Sequence, residues 1–165
     1  MTVKAASALL ISLLILGACD RTAIPDKDAL AFACGGDPAS QQSMGQAVNR
    51  IREGQGKTIL DTDDRLTQIA QSHACDIATR GRADVAGSDG SNVVDRARSV
   101  SYPTCGVAQL VGYGNTADEV ISRWMALEPQ RVELLAQETE DLGVGSARGH
   151  DGRLWWSLVL GNDCR

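Results

Sequence analysis

The sequence predicts an α+β fold, a three-layer α-β-α sandwich around a small, mostly antiparallel sheet. Three observations predict it. Apolar residues recur at helical spacing in several separate segments. The C-terminal part reads as a β-hairpin whose last strand is apolar almost throughout, as a strand covered on both faces would be. With 165 residues, 43% hydrophobic and 22% charged, the chain has material for one core of ordinary size.

The first helix is predicted over about Gln41 to Arg52, where Met44, Ala47, Val48 and Ile51 share one face and Gly54 and Gly56 follow. The clearest element comes next. Leu66, Ile69, Ala70, His73, Ala74, Ile77 and Ala78 keep a 3-1-3-1-3-1 rhythm. Asp61 to Asp64 supply a cap and acids at its start, and Arg80-Gly81 closes it. Gly87 to Ser91 is a loop, and a short helix follows over about Val93 to Val100. Tyr102 to Gly106 breaks it, and Val107 to Tyr113 reads as an extended segment. Thr116-Ala117-Asp118-Glu119 is a capping-box pattern opening a helix that turns Val120, Ile121, Trp124 and Met125 inward, and Pro129 is expected to end or kink it. Leu142 to Ala147 and Leu154 to Leu160 are the hairpin strands, with the turn at Gly149 to Gly152.

The N-terminus has its own logic. After Lys4, residues 5–16 are almost wholly apolar, a run too short to span a bilayer and the right length for a signal-peptide core. It ends in Leu16-Gly17-Ala18-Cys19, which resembles the bacterial lipobox. The expected organisation is a lipoprotein signal peptide over 1–18, a tether over 19–40 and a domain over 41–165. The expected lipidation site is Cys19, and stable anchoring takes two or more acyl chains. Asp20 resembles the inner-membrane retention signal of enterobacterial lipoproteins, without deciding between inner and outer membrane. From Cys19 to Cys34 the chain reaches at most about 50 Å, so the domain is expected close to its membrane, on the periplasmic side.

Cys34, Cys75, Cys105 and Cys164 contain no Cys-x-x-Cys, which argues against a zinc ribbon or a redox pair. In an exported protein they are read as two disulfides. Four cysteines allow three connectivities and the sequence does not choose among them. The expectation carried forward is Cys75–Cys105 with Cys34–Cys164, each worth roughly 3–5 kcal/mol in the chain-entropy model.

Composition excludes several classes. A net charge of -5 and an aromatic content of 4% argue against a nucleic-acid partner. Two histidines cannot build a three-histidine zinc site. His73 lies within a helix stripe and is read as packing, and His150 falls in a turn. Ser88-Asp89 is ordinary turn chemistry with no base at a recognisable spacing. Asp95-Arg96 is read as an ion pair or helix-start contact.

In order and at matching intervals, a set of short motifs resembles the CAP (SCP-like) domain of cysteine-rich secretory proteins, insect venom antigens and plant pathogenesis-related proteins. They are Asn49 and Arg52, then Ala70, His73 and Ala74, then Gly87 to Ser91, Asp95-Arg96 and Tyr102. Gly112-Tyr113, Trp124-Met125, Gly143-Val144-Gly145 and Trp155-Trp156 complete the series. The resemblance covers about Met44 to Gly161 and implies a CAP-like fold. It also implies a cleft in which two His and two Glu hold a divalent cation, and here this chain departs from the pattern. Val85 stands where the first His belongs, and Val107-Ala108 where a Glu-Asn pair belongs. A one-residue shift would bring Gln109 near, still not an acid. Gln130 replaces the second His, and Leu127, next to Glu128, takes the place of the other Glu. Val, Val and Gln do not make a zinc or calcium site, so Val85, Val107, Leu127 and Gln130 mark a vestigial cleft.

The resulting expectation is a lipid-anchored, extracytoplasmic, non-enzymatic binding or scaffolding module at the bacterial cell envelope, with no cofactor. Its candidate partners are an envelope protein or a lipid-like small molecule in the emptied cleft. The competing expectation is an envelope hydrolase using residues outside that cleft, which would require acids gathered around His73 or His150 in a pocket.

Overall fold

The computed structural model describes residue 30, residues 33–103 and residues 105–164. The expected signal segment and Cys19 lie outside the described residues. Among those described, no helix is long and apolar enough to cross a membrane.

Helix α1 spans Pro38–Gly54. It begins earlier than its apolar spacing predicts because Asp37 caps it, accepting from the Ala39 N–H, and Pro38 occupies its first turn. Strand β1 is only Asp61–Thr62. Helix α2 runs Asp64–Arg80, from the Asp63 carboxylate, which accepts from Arg65 and Leu66 N–H, to Gly81 in the left-handed conformation at φ 64°. All seven residues of the predicted stripe are buried. Helix α3 covers Val93–Ser99 behind an Asn92/Asp95 capping box, and strand β2 covers Gly106–Tyr113. Helix α4 spans Ala117–Ala126 and helix α5 spans Glu128–Leu134. Leu127 is extended between them, and Pro129 sits in the first turn of α5, so it opens a helix as well as following one. Strands β3, Asp141–Arg148, and β4, Leu154–Asn162, complete the chain.

The sheet order is β1-β3-β4-β2, with β1 parallel to β3 and the other pairings antiparallel. Alternation along β4 explains its apolar run. Trp156, Leu158 and Leu160 join Met44, Val48, Ile121 and Trp124 from α1 and α4, while Trp155 and Val159 face α2. Trp155 and Trp156 are each about 1% exposed. An indole that leaves water takes on the order of 200 Å² with it, roughly 5 kcal/mol at about 25 cal/mol per Å². The three-layer α-β-α arrangement is as predicted.

The Asn49/Arg52 pair of α1 ties the layers together. Asn49 Nδ2 donates to the Leu60 carbonyl at 2.9 Å and its Oδ1 accepts from the Leu60 N–H at 2.8 Å. Arg52 is fully buried, and its guanidinium donates to the carbonyls of Thr58 (2.9 Å), Leu134 (2.8 Å) and Ala136 (3.0 Å).

All four expected cysteines are in disulfides, but the expected pairing is wrong. The bridges are Cys34–Cys75, with Cα atoms 5.6 Å apart, and Cys105–Cys164, with Cα atoms 5.2 Å apart. Antiparallel pairing is the reason for the second. The β2–β4 register sets Gly106 against Asn162, so the residues just outside each strand end meet. For the first, the segment leading into α1 lies along α2, where Gln71 Nε2 donates to the Cys34 carbonyl at 3.2 Å.

Candidate functional site

The loop between α2 and α3 carries Val85, and three elements hold it. Asp76 of α2 accepts from the Ser88 N–H at 2.9 Å and pairs with Arg80 at 3.0 Å, while Arg80 also donates to the Ala86 carbonyl at 2.8 Å. Asp89 Oδ1 accepts from the Ser91 N–H at 2.8 Å. His73 is 1% exposed, and its Nε2 donates to the Asp84 carbonyl at 2.8 Å.

The centre of this region is Arg96 of α3, 3% exposed. Nη1 donates to the Ser91 carbonyl at 3.0 Å and to Ser91 Oγ at 2.8 Å. Nη2 donates to the Val85 carbonyl at 2.8 Å and to Gln109 Oε1 at 2.5 Å. Gln109 Nε2 in turn donates to Ser157 Oγ of β4 at 2.7 Å. The guanidinium thus clips the Val85 loop to the sheet through neutral acceptors. Burial pulls its pKa below the ordinary arginine value, while Asp89, Asp76 and Asp95 oppose that shift, and it stays a cation throughout the physiological range. Burial likewise pulls His73 down to about 4, with the Arg96 charge adding to the effect, so the imidazole is neutral near pH 7.

The residues expected to mark a vestigial cleft separate by element. Val107 and Gln109 lie on the face of β2 toward α2 and α3, and Val107 packs against the cluster of Leu66, Ile69 and Val159. Val85 is 50% exposed on its loop. Leu127, 54% exposed, and Gln130 belong to the α4–α5 layer, where Gln130 Oε1 is buried without a hydrogen-bond partner among the described residues. Among the described residues no three His, Cys, Asp or Glu side chains gather as a metal ion would require.

The remaining candidates take structural places. His150 lies exposed in the β3–β4 turn. Asp95 closes the α3 capping box and reaches Arg98 at 3.7 Å, so Asp95-Arg96 is a helix start and a loop clamp and not an ion pair with itself. Gln109 and Ser157 carry the hub, and the sequence reading gave Ser157 no role. Their signal was present: each is a polar interruption of an apolar strand.

Another groove lies elsewhere. It holds about 620 Å³ between α1 and the β1–β3 edge and includes Gln41, Gln46, Asn49 and Thr67 in its walls.

A family model for the cysteine-rich secretory protein (CAP) family matches residues 46–160. No curated protein matches the sequence. Among solved structures, an outer surface protein of Borrelia burgdorferi superposes with a TM-score of 0.70 at 14% identity, over 80% of this chain and 99% of that one. An extracellular SCP-domain protein of Bacillus anthracis gives 0.67 at 17% identity, over 75% of this chain and 40% of that one. A cysteine-rich secretory protein of Staphylococcus aureus gives 0.64 at 23% identity, over 76% and 39%. The chain therefore spans about two-fifths of the latter two proteins, and what it shares with all three is the fold. With the family model covering more than half of its length, the chain belongs to the cysteine-rich secretory protein (CAP) family.

Proposed function

We propose that this chain is a lipid-anchored CAP-domain module on the periplasmic side of a bacterial membrane, which binds another envelope protein and performs no catalysis. The observation that carries this reading is the chemistry at the cleft positions. Arg96 is engaged by neutral acceptors; His73, near enough to feel its charge, is buried and neutral with Nε2 on the Asp84 carbonyl, and His150 lies in an exposed turn. General acid-base chemistry needs a titratable group within hydrogen-bond reach of a substrate, and nothing at Val85, Val107, Leu127 or Gln130 supplies one. The two disulfides support an oxidising compartment, and the Leu16–Cys19 motif supports the anchor.

A protein partner is preferred to an apolar small molecule because Val107 packs into the core beneath α2 and Val85 stands half exposed on the surface. Cross-linking in intact cells, followed by purification from solubilised envelope, is expected to enrich one envelope protein reproducibly. Cys19→Ser is expected to abolish acyl labelling and release the chain from the membrane fraction. A stoichiometric co-purifying lipid would overturn the preference for a protein, and membrane retention of the Cys19 variant would overturn the anchor.

A further inference from the structure

The chain leading into α1 is fastened to the α2–α3 layer well before that helix begins. Cys34 is bonded to Cys75 of α2, and Gln71 Nε2 donates to the Cys34 carbonyl at 3.2 Å. Earlier still, Leu30 is partly buried against the cluster formed by Leu66, Ile69, Tyr102 and Val159. Val93 at the start of α3 and Val100 just past its end pack on the same cluster, and both keep part of their surface in solvent, as does Val94 beside them. Leu30 thus enters the fold on a surface of half-exposed aliphatic side chains. The charges there are Arg98, 72% exposed in its side chain, and Asp95, 3.7 Å from it.

Covalent length then decides which side of the domain meets a membrane. Eleven residue steps separate Leu30 from Cys19. Fully extended they reach about 38 Å, and as a flexible chain they span about 19 Å. The three layers together are about 30 Å thick, since packed layers lie about 10 Å apart and a helix is about 10 Å across. With the α2–α3 layer toward the bilayer, the tether is relaxed. With α4 and α5 toward it, the same tether must cross the whole thickness close to its limit and lose most of its conformational freedom. At such short range even a modest apolar contact is effectively intramolecular, where a free domain would scarcely make it.

We infer that the surface around Leu30, Val93, Val94 and Val100 is a membrane-contacting face, seated on the headgroup region of the bilayer that holds the acyl chains. Its aliphatic side chains meet the boundary between headgroups and acyl chains, as those of interfacial elements do. Arg98 reaches lipid phosphates at the end of its flexible stem. Exposed apolar residues elsewhere lack this relation to the tether: Leu127 and Val132 belong to the α4–α5 layer, and Ile59 lies between α1 and β1. The inference rests on the anchor in the reading above and goes beyond its protein partner, because it fixes which side of the domain the membrane occupies.

The test uses the mature ¹⁵N-labelled chain, purified from membranes and reconstituted in nanodiscs of phosphatidylethanolamine and phosphatidylglycerol at 3:1, with a nitroxide on a fraction of the lipid headgroups. The amide signals of Val94 and Val100 are expected to lose at least threefold more intensity than those of Ile59 and Val132. Val94→Glu combined with Val100→Glu is expected to erase that difference. A second variant leaves the domain untouched: twenty Gly-Ser residues inserted between Asp26 and Lys27 are expected to shrink the difference severalfold, as effective concentration falls with tether length. Equal losses on all faces, or losses concentrated at Ile59 or Val132, would overturn the inference. Intact mass separates the two levels of failure. A mature chain without acyl groups would remove the anchor and this face with it, whereas an acylated chain with equal losses would leave the anchor standing and remove the face alone.

Discussion

Gly143 of β3 lies so close to α2 that a Cβ built on it would stand 2.1 Å from the Leu66 carbonyl carbon, and Gly145 repeats the contact 2.2 Å from Ala70. The Gly-Val-Gly motif is therefore the seat of α2 on the sheet, and the small residues of the helix stripe are its counterpart. Gly143→Ala is expected to cost about 3 kcal/mol, since the obstacle is backbone and cannot rotate away. Gly45→Ala, whose Cβ would meet only Leu142 Cδ1 at an ordinary 3.7 Å, is expected to stabilise by about 0.5–1 kcal/mol. Urea denaturation of both variants checks the contrast, and a mild Gly143 variant would refute the packing account.

The disulfide pairs make a prediction that proteolysis can read directly. Peptide mapping without reduction is expected to recover Cys34 linked to Cys75 and Cys105 linked to Cys164. Each closes a loop of 41 or 59 residues. Replacing either pair with alanine is expected to lower stability by about 4 kcal/mol on the chain-entropy account.

Stability should fall with acidification below neutrality. His73 titrates at about 4 in the fold, against 6.5 in an unperturbed chain. Between those values the unfolded state binds the additional proton, so stability is complete above about pH 6.5 and declines as pH falls toward 4. The contribution is on the order of 3 kcal/mol. His73→Gln, which retains a donor for the Asp84 carbonyl, is expected to flatten the decline measured by denaturation across that range.

Arg96 holds the Val85 loop to β2, and its removal orphans several buried acceptors at once. Arg96→Met is expected to destabilise by about 3 kcal/mol or more and to raise hydrogen exchange over residues 84–91. Gln109→Leu, which removes one acceptor and releases Ser157, is expected to cost less. Equal effects would argue against Arg96 as the hub.

The reading of Val85, Val107, Leu127 and Gln130 as positions without metal ligands is open to direct measurement. Calorimetric titration of chelator-treated protein with Zn²⁺ is expected to show no stoichiometric site tighter than about 1 μM. Tight zinc held between Val85 and Gln130 would contradict the reading of those positions.

Residue pattern alone determined the layers and most element ends, because each rests on local chemistry. The α2 stripe, the Asp63 and Thr116 caps, the Gly81 terminator and the burial of β4 on both faces follow from periods, apolar runs and hydrogen-bonding groups within a few residues of one another. The reading of Val85, Val107, Leu127 and Gln130 as replaced ligands rests on residue identity at those positions, which needs no coordinates. What joined distant segments was not legible. A two-residue β1 carries no period, and Pro129 gives no sign that it would open α5. The disulfide partners depended on which strand ends meet, a consequence of antiparallel register between Gly106 and Asn162. The Arg96–Gln109–Ser157 chain likewise exists only once α3, β2 and β4 are packed, because hydrogen-bond geometry is set by tertiary distance and not by sequence separation.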